Sequence, residues 1–161
     1  MNVGQHHLDV VEVTATEARF SDVLRLAADV LNQDRYLVKQ IEHAQETHVV
    51  AAFDQERCVG FLRFVIQEIG RDAGRSPVVH DGANLREGFV EAFGVEPSAR
   101  RCGVGTQLQT FAADRCREAG CHQMRSRSPV TSTENYALKI SAGYTIHPST
   151  ENDSYYFTKP L

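Results

Sequence analysis

A chain of 161 residues, 42% hydrophobic and 24% charged, carries enough apolar side chain for one substantial core and has the balance of an ordinary globular protein. Its formal net charge of −4 argues against a nonspecific nucleic-acid binder, whose affinity comes mainly from neutralising phosphates. No apolar run is long enough to span a membrane and no secretory leader pattern opens the chain, so no membrane partner is expected and the expected location is cytoplasmic. Cys58, Cys102, Cys116 and Cys121 form no Cys-x-x-Cys pair. Even with His122 nearby, their spacing fits no common zinc pattern, and reduced, buried thiols without a metal are expected.

In chain order, Leu8 to Val13 alternates as a first strand. Thr14 and Glu17 have capping-box spacing ahead of an apolar stripe of Phe20, Val23, Leu24, Ala27, Val30 and Leu31, which predicts a helix. Leu37, Ile41 and Ala44 predict a second, shorter one. His48–Phe53 and Cys58–Ile69, joined by the polar turn Asp54–Arg57, predict an antiparallel hairpin. Residues 70–86 are rich in charge, Gly and Pro and read as a long loop with a short strand at Val78-Val79; such loops are often functional.

Next comes the stretch with the strongest local grammar. Phe89 to Val95 has strand signals that stop at Glu96-Pro97, and Arg100-Arg101-Cys102-Gly103-Val104-Gly105 leads into helical spacing at Val104, Leu108, Phe111, Ala112, Cys116 and Ala119. A glycine turn at a helix N-terminus is an anion cradle: the first N–H groups have no partner inside the helix, and glycine removes the Cβ atoms that would hold a phosphate away. The dinucleotide fingerprint needs a third Gly or Ala where Leu108 stands, and the P-loop needs a lysine that Gly105-Thr106 lacks. Gly120 ends this helix. Cys121–Arg127 predicts a strand, and Thr131 with Glu134 opens a fourth helix with Tyr136, Ala137 and Ile140 inward, ending at Gly143. Two closing strands, Tyr144–Ile146 and Ser154–Thr158, flank a turn over 148–153. The order β-α-α-β-β-β-α-β-α-β-β implies an α/β (α+β) fold with a mixed, mostly antiparallel sheet and helices on both faces.

The Arg100-x-x-Gly103-x-Gly105 turn, following a strand ending in Val95 and a Glu-Pro step, resembles the acetyl-CoA-binding motif of the Gcn5-related N-acetyltransferase superfamily. Val59-Gly60-Phe61 after its polar turn and the order of elements resemble the same family along essentially the whole chain. The resemblance implies one N-acetyltransferase domain over residues 1–161 with acetyl-CoA as cosubstrate. It implies that Phe89–Val95 splays from the next strand, with the pantetheine arm pairing near Phe93, Gly94 and Val95. It also implies that the backbone of Arg101, Cys102, Gly103, Val104 and Gly105, with Thr106, holds the pyrophosphate. Arg100 and Arg101 are candidates for added charge, and Ser132 or Asn135 for a further contact to the cosubstrate.

Transfer to an amine needs a base, because an amine of pKa ~10 lies about 4 kcal/mol from its neutral form at pH 7. Glu91, sharing a strand face with Phe89 and Phe93, is the leading candidate; Glu87 and His80 are the runners-up. The family often places a general-acid Tyr four residues before the glycine that ends the fourth helix. Here that position is Lys139, with Tyr136 less than a turn away. The expected activity is direct transfer of an acetyl group from the thioester to an amine of a small molecule or protein. The alternative from the missing Tyr is a non-catalytic acyl-CoA-binding or regulatory module. The family builds its acceptor site from the helices and loops corresponding here to 33–47 and 70–86. Tyr155-Tyr156-Phe157 is a candidate either to pair across a homodimer or to close the sheet.

Overall fold

The computed structural model describes residues 8–149, 151 and 153–161. In chain order the elements are β1 (Leu8–Glu12), α1 (Phe20–Asp29), α2 (Asp34–Val38), β2 (Glu46–Asp54), β3 (Arg57–Glu68), β4 (Val79–His80), β5 (Ala83–Asn84), β6 (Arg86–Val95), α3 (Val104–Glu118), β7 (Gln123–Pro129), α4 (Thr133–Ser141), β8 (Thr145–Pro148) and β9 (Ser154–Pro160). Seven strands form one sheet in the order β1-β2-β3-β6-β7-β9-β8. Every pairing is antiparallel except β6 with β7. This is the expected mixed, mostly antiparallel sheet with helices on both faces.

Two apolar layers hold the helices to it. On one face α3 sets Val104, Leu108 and Cys116 against Val50, Leu62 and Phe64. On the other, α1 sets Phe20, Val23 and Leu26 against Ala51, Phe53 and Phe61. Because both faces are covered, β2 and β3 read as nearly continuous apolar runs. The buried leucine of α1 is Leu26, while Leu24 is only partly buried and Val30 is exposed. Glu17 bonds back to the Thr14 N–H at 2.9 Å. The Thr14 hydroxyl, however, turns to the Glu17 carboxylate instead of capping an N–H; the pair closes a turn, and α1 begins at Phe20.

Other boundaries also move. α2 stops at Val38, and Ile41 and Ala44 pack from a turn onto Val65, Phe89 and Tyr156. The long loop holds a two-stranded hairpin, β4 with β5, around Asp81-Gly82, both with positive φ (49° and 78°). On α4, Ile140 faces solvent and Lys139 faces the core, because Tyr136 and Lys139, three residues apart, share the inward side. β9 lies between β7 and β8, so Tyr155–Phe157 closes the sheet from within and offers no edge. The turn expected over 148–153 includes positions outside the described residues. Cys58, Cys116 and Cys121 are buried free thiols, but Cys102 is exposed.

Two features of β6 set its geometry. Its ladder with β3 runs Arg63↔Ala92 and then Phe64↔Val90, which leaves Glu91 as the extra residue of a bulge. Below the bulge, Glu87 is fully buried and binds Arg125 of β7 through Nη2 at 2.8 Å and Nε at 3.1 Å. It also accepts from Gln67, Gln123 and the Gly70 N–H. Asp72 binds Arg125 as well, so the start of the 70–85 loop is tied to the sheet. Removing one member of a buried pair strands the other charge. Glu87→Ala is therefore expected to lower unfolding stability by about 3 kcal/mol, measured as a lower urea midpoint at unchanged m-value, whereas Glu87→Gln loses less.

Candidate active site

Parallel pairing of β6 with β7 covers only Glu87↔Gln123 to Val90↔Ser126. Beyond Val90 the strands part, and the upper edge of β6 is left without a neighbour. The parting opens into a cleft of about 1730 Å³ that runs from α2 to the starts of α3 and α4.

The Arg/Gly turn forms one wall. Arg101 and Gly103 both have positive φ (63° and 83°), which curls the backbone so that consecutive amides point one way. Among the described residues, no backbone N–H from Arg101 through Thr106 donates a well-formed hydrogen bond within the protein. A Cβ on Gly105 would come within 3.0 Å of Leu138 and 3.2 Å of Phe93, so glycine keeps this turn close to its neighbours. Arg100 is committed: its Nε donates to the Val95 carbonyl at 3.1 Å and its Nη1 lies 3.5 Å from Glu134. Among the described residues the exposed Arg101 has no such partner.

Phe93, Gly94 and Val95 line the cleft along the open edge of β6, with the Phe93 carbonyl taking a 3.3 Å bond from Gln33 Nε2. Ser132 precedes α4 without a capping bond from its side chain. Asn135 donates to Ser128 at 3.0 Å, and among the described residues its buried Oδ1 has no partner. A row of free amides and an orphaned carbonyl oxygen in one cleft suit a ligand carrying both phosphates and amide N–H groups. The cleft therefore gathers the sequence-predicted residues Glu91, Phe93, Gly94, Val95, Arg100, Arg101, Gly103, Gly105, Thr106, Ser132, Asn135 and Lys139. It is not lined by Cys102, Val104 or Tyr136. Val104 packs in the core, and the Tyr136 hydroxyl donates to the Pro129 carbonyl at 3.0 Å while its ring meets Phe157.

Two titratable groups line the cleft from opposite faces of the sheet. The bulge puts Glu91 on the α1–α2 side of the sheet, together with Phe89 and Ala92, while Phe93 turns to the α3 side. Burial raises the Glu91 carboxyl above its ordinary pKa, and the charges of Lys39 and Arg63 offset only part of this. Arg63 is itself buried and donates to the Tyr36 carbonyl and, at 2.6 Å, to that of Lys39, holding the end of α2 over Glu91. From the α4 side Lys139, 1% exposed, donates to the Ser126 hydroxyl at the last paired position of β7. Its Nζ lies 5.0 Å from the Tyr144 ring centroid and 5.7 Å from that of Phe157. Burial pushes its pKa down to about 7. Glu87 is engaged by Arg125, and His80 sits exposed on the hairpin, 3.4 Å from Asp81. Ser126, Arg63 and Arg125 carry no signal in the sequence; each lies in a strand whose alternation gives no sign of its partner.

The model of the acetyltransferase (GNAT) family matches residues 14–138. The chain belongs to that family and is an acetyltransferase by class. Among solved structures it resembles Arabidopsis thaliana NAA60 in complex with acetyl-CoA (TM-score 0.75, 12% identity, covering 96% of this chain and 99% of that one). It also resembles the GNAT domain of S. lividans PAT (0.70, 19%, 94% and 89%). A third likeness is to a GNAT family acetyltransferase from Elizabethkingia anophelis with acetyl-CoA bound (0.63, 16%, 96% and 98%). No curated protein matches it in sequence.

The buried lysine has a thermodynamic signature. An unfolded lysine keeps its proton to about pH 10.5, whereas the folded site releases it near 7. Folding therefore expels a proton between these values, so stability rises with pH across that window and is lowest below it. Lys139→Met is expected to stabilise the fold at about pH 6 by on the order of a few kcal/mol, with the advantage shrinking by about pH 9, as read from urea unfolding at the two pH values.

Proposed function

We propose that this chain transfers an acetyl group from acetyl-CoA directly to an amine, of a small molecule or of a protein. The observation that carries the reading is the placement of a half-buried carboxylate and a buried amine in the cleft where β6 and β7 part, on opposite faces of the sheet. In this reading the pyrophosphate of acetyl-CoA takes the free amides of Arg101 to Thr106, and its pantetheine arm lies along the open edge of β6. The acceptor enters from the α2 side, past Tyr36, Lys39, His43 and Asp72, which line that half of the cleft.

Glu91 accepts the proton that the acceptor nitrogen must lose, directly or through a water. Its raised pKa makes it a stronger base than an exposed carboxylate. The open-edge N–H groups near Val95 polarise the thioester carbonyl as negative charge grows on it. Lys139, as the ammonium, donates a proton to the departing sulfur and takes over the place where other family members carry a tyrosine. A thiol of pKa ~8.5 leaves as thiolate at pH 7 at a cost of only about 2 kcal/mol, so an acid of this strength suffices. The matching location is the cytoplasm, where reduced thiols persist; no described helix is long and apolar enough to cross a membrane.

Glu91→Gln should lower kcat about 100-fold and leave the Kd for acetyl-CoA unchanged, checked by steady-state kinetics beside calorimetry; wild-type turnover would remove Glu91 from the mechanism. The pH–rate profile should rise as Glu91 and the acceptor lose protons, then fall above about 7 as Lys139 loses its own. Lys139→Arg, which stays charged, should abolish that alkaline fall. Arg101→Ala should weaken acetyl-CoA binding about threefold to tenfold, with the difference shrinking at about 0.5 M salt.

A further inference from the structure

We propose that Lys139 is itself a site of acetylation: when acetyl-CoA is bound and no acceptor is present, the lysine amine attacks the thioester and keeps the acetyl group. The inference rests on the proposed binding of acetyl-CoA in this cleft and concerns a residue that the proposed transfer uses only to move a proton.

The geometry is that of an amine held ready in a donor site. Lys139 projects from α4 into the floor of the cleft, and its Nζ binds Ser126 where β6 and β7 begin to separate. Its other neighbours are the rings of Tyr144 and Phe157. Among the described residues no carboxylate pairs with it, in contrast to Arg125, whose charge is held by Glu87 and Asp72. Without a counter-charge, burial favours the neutral amine, which is the nucleophilic form. An arginine in the same place would stay charged and inert.

The step balances without a further reagent. The nitrogen lone pair forms a C–N bond to the acetyl carbon, and the C–S bond breaks with its electrons on sulfur. The proton shed by nitrogen passes to the sulfur, directly or through the Ser126 hydroxyl. The products are an acetamide on Lys139 and free CoA. An amide is no longer an acyl donor, so the acetyl group stays. The modified side chain has lost the proton it would give to the leaving sulfur, and its added bulk occupies the gap. Acceptor and lysine compete for one thioester, so the modification accumulates when donor is abundant and acceptor scarce.

The chain has only three lysines, Lys39, Lys139 and Lys159, among 17 Lys and Arg residues, which makes the product easy to assign. The purified full chain is incubated with acetyl-CoA alone, and the protein is monitored by intact mass, peptide mapping and thermal shift. The expected result is acetyl-CoA-dependent stabilisation together with a gain approaching one acetyl group per chain on the peptide containing Lys139. The adduct should resist hydroxylamine, and activity towards an amine should fall in proportion to the modified fraction. Lys139→Arg should show neither the adduct nor the progressive loss. Stabilisation by acetyl-CoA with Lys139 unmodified overturns the inference and leaves the donor reading standing. A hydroxylamine-labile adduct on Ser126 overturns it in favour of the serine. Equal labelling of Lys39, Lys139 and Lys159, matched by heat-denatured protein, reduces it to unguided chemistry. Absence of any stabilisation brings down the donor reading with it.

Discussion

Everything at the active cleft depends on a parallel strand pairing that ends early. Four residue pairs join β6 to β7, and above them the strands lack each other's hydrogen bonds. A sheet interior seldom leaves backbone groups without partners, since each costs free energy when buried. Here the groups are exposed along a cleft whose far end is a row of further unpartnered amides at the start of α3. The pairing below keeps the split from spreading: Glu87, Arg125 and Asp72 clamp β6, β7 and the loop after β3 together at the base of the gap.

That arrangement leaves two separate faces on either side of the gap. Glu91 looks towards α2 and Lys139 looks up from α4, with the unpaired edge of β6 between them. Their pKa values move towards each other, the carboxyl upward and the ammonium downward, through the same cause, loss of water. Two groups drawn towards neutrality from opposite ends are suited to taking and giving protons near pH 7. Neither is an efficient stabiliser of the fold, as is common where function requires buried polar groups without full compensation.

Much of the Arg/Gly wall of the cleft was legible in the sequence, because it is local. A strand ending at Val95, a Glu-Pro step, two glycines at fixed spacing and a periodic helix succeed one another directly along the chain, and local chemistry survives in a one-dimensional string. The hairpin of β2 and β3 was legible for the same reason. What was hidden was non-local or depended on one residue of offset. The bulge at Glu91 leaves no mark in composition, yet it sends Phe93 to the opposite face from Phe89. On α4 the residues Tyr136, Lys139 and Ile140 admit more than one inward side, and hydrophobicity alone disfavours a lysine there. Only half of the Thr14–Glu17 box forms, the carboxylate bonding back to the Thr14 N–H, and no helix starts there because the hydroxyl is used within the turn.

By absorbing a single residue, the bulge puts the lower and upper parts of β6 in opposite phase, so the strand behaves as two short segments joined by a slip. The lower segment is locked in register by Gly88 against Cys116 and by the Glu87–Arg125 clamp. The upper one pairs with β7 nowhere and lines the cleft instead. Side chains above the slip are thereby free to change without disturbing the alignment that holds the sheet together.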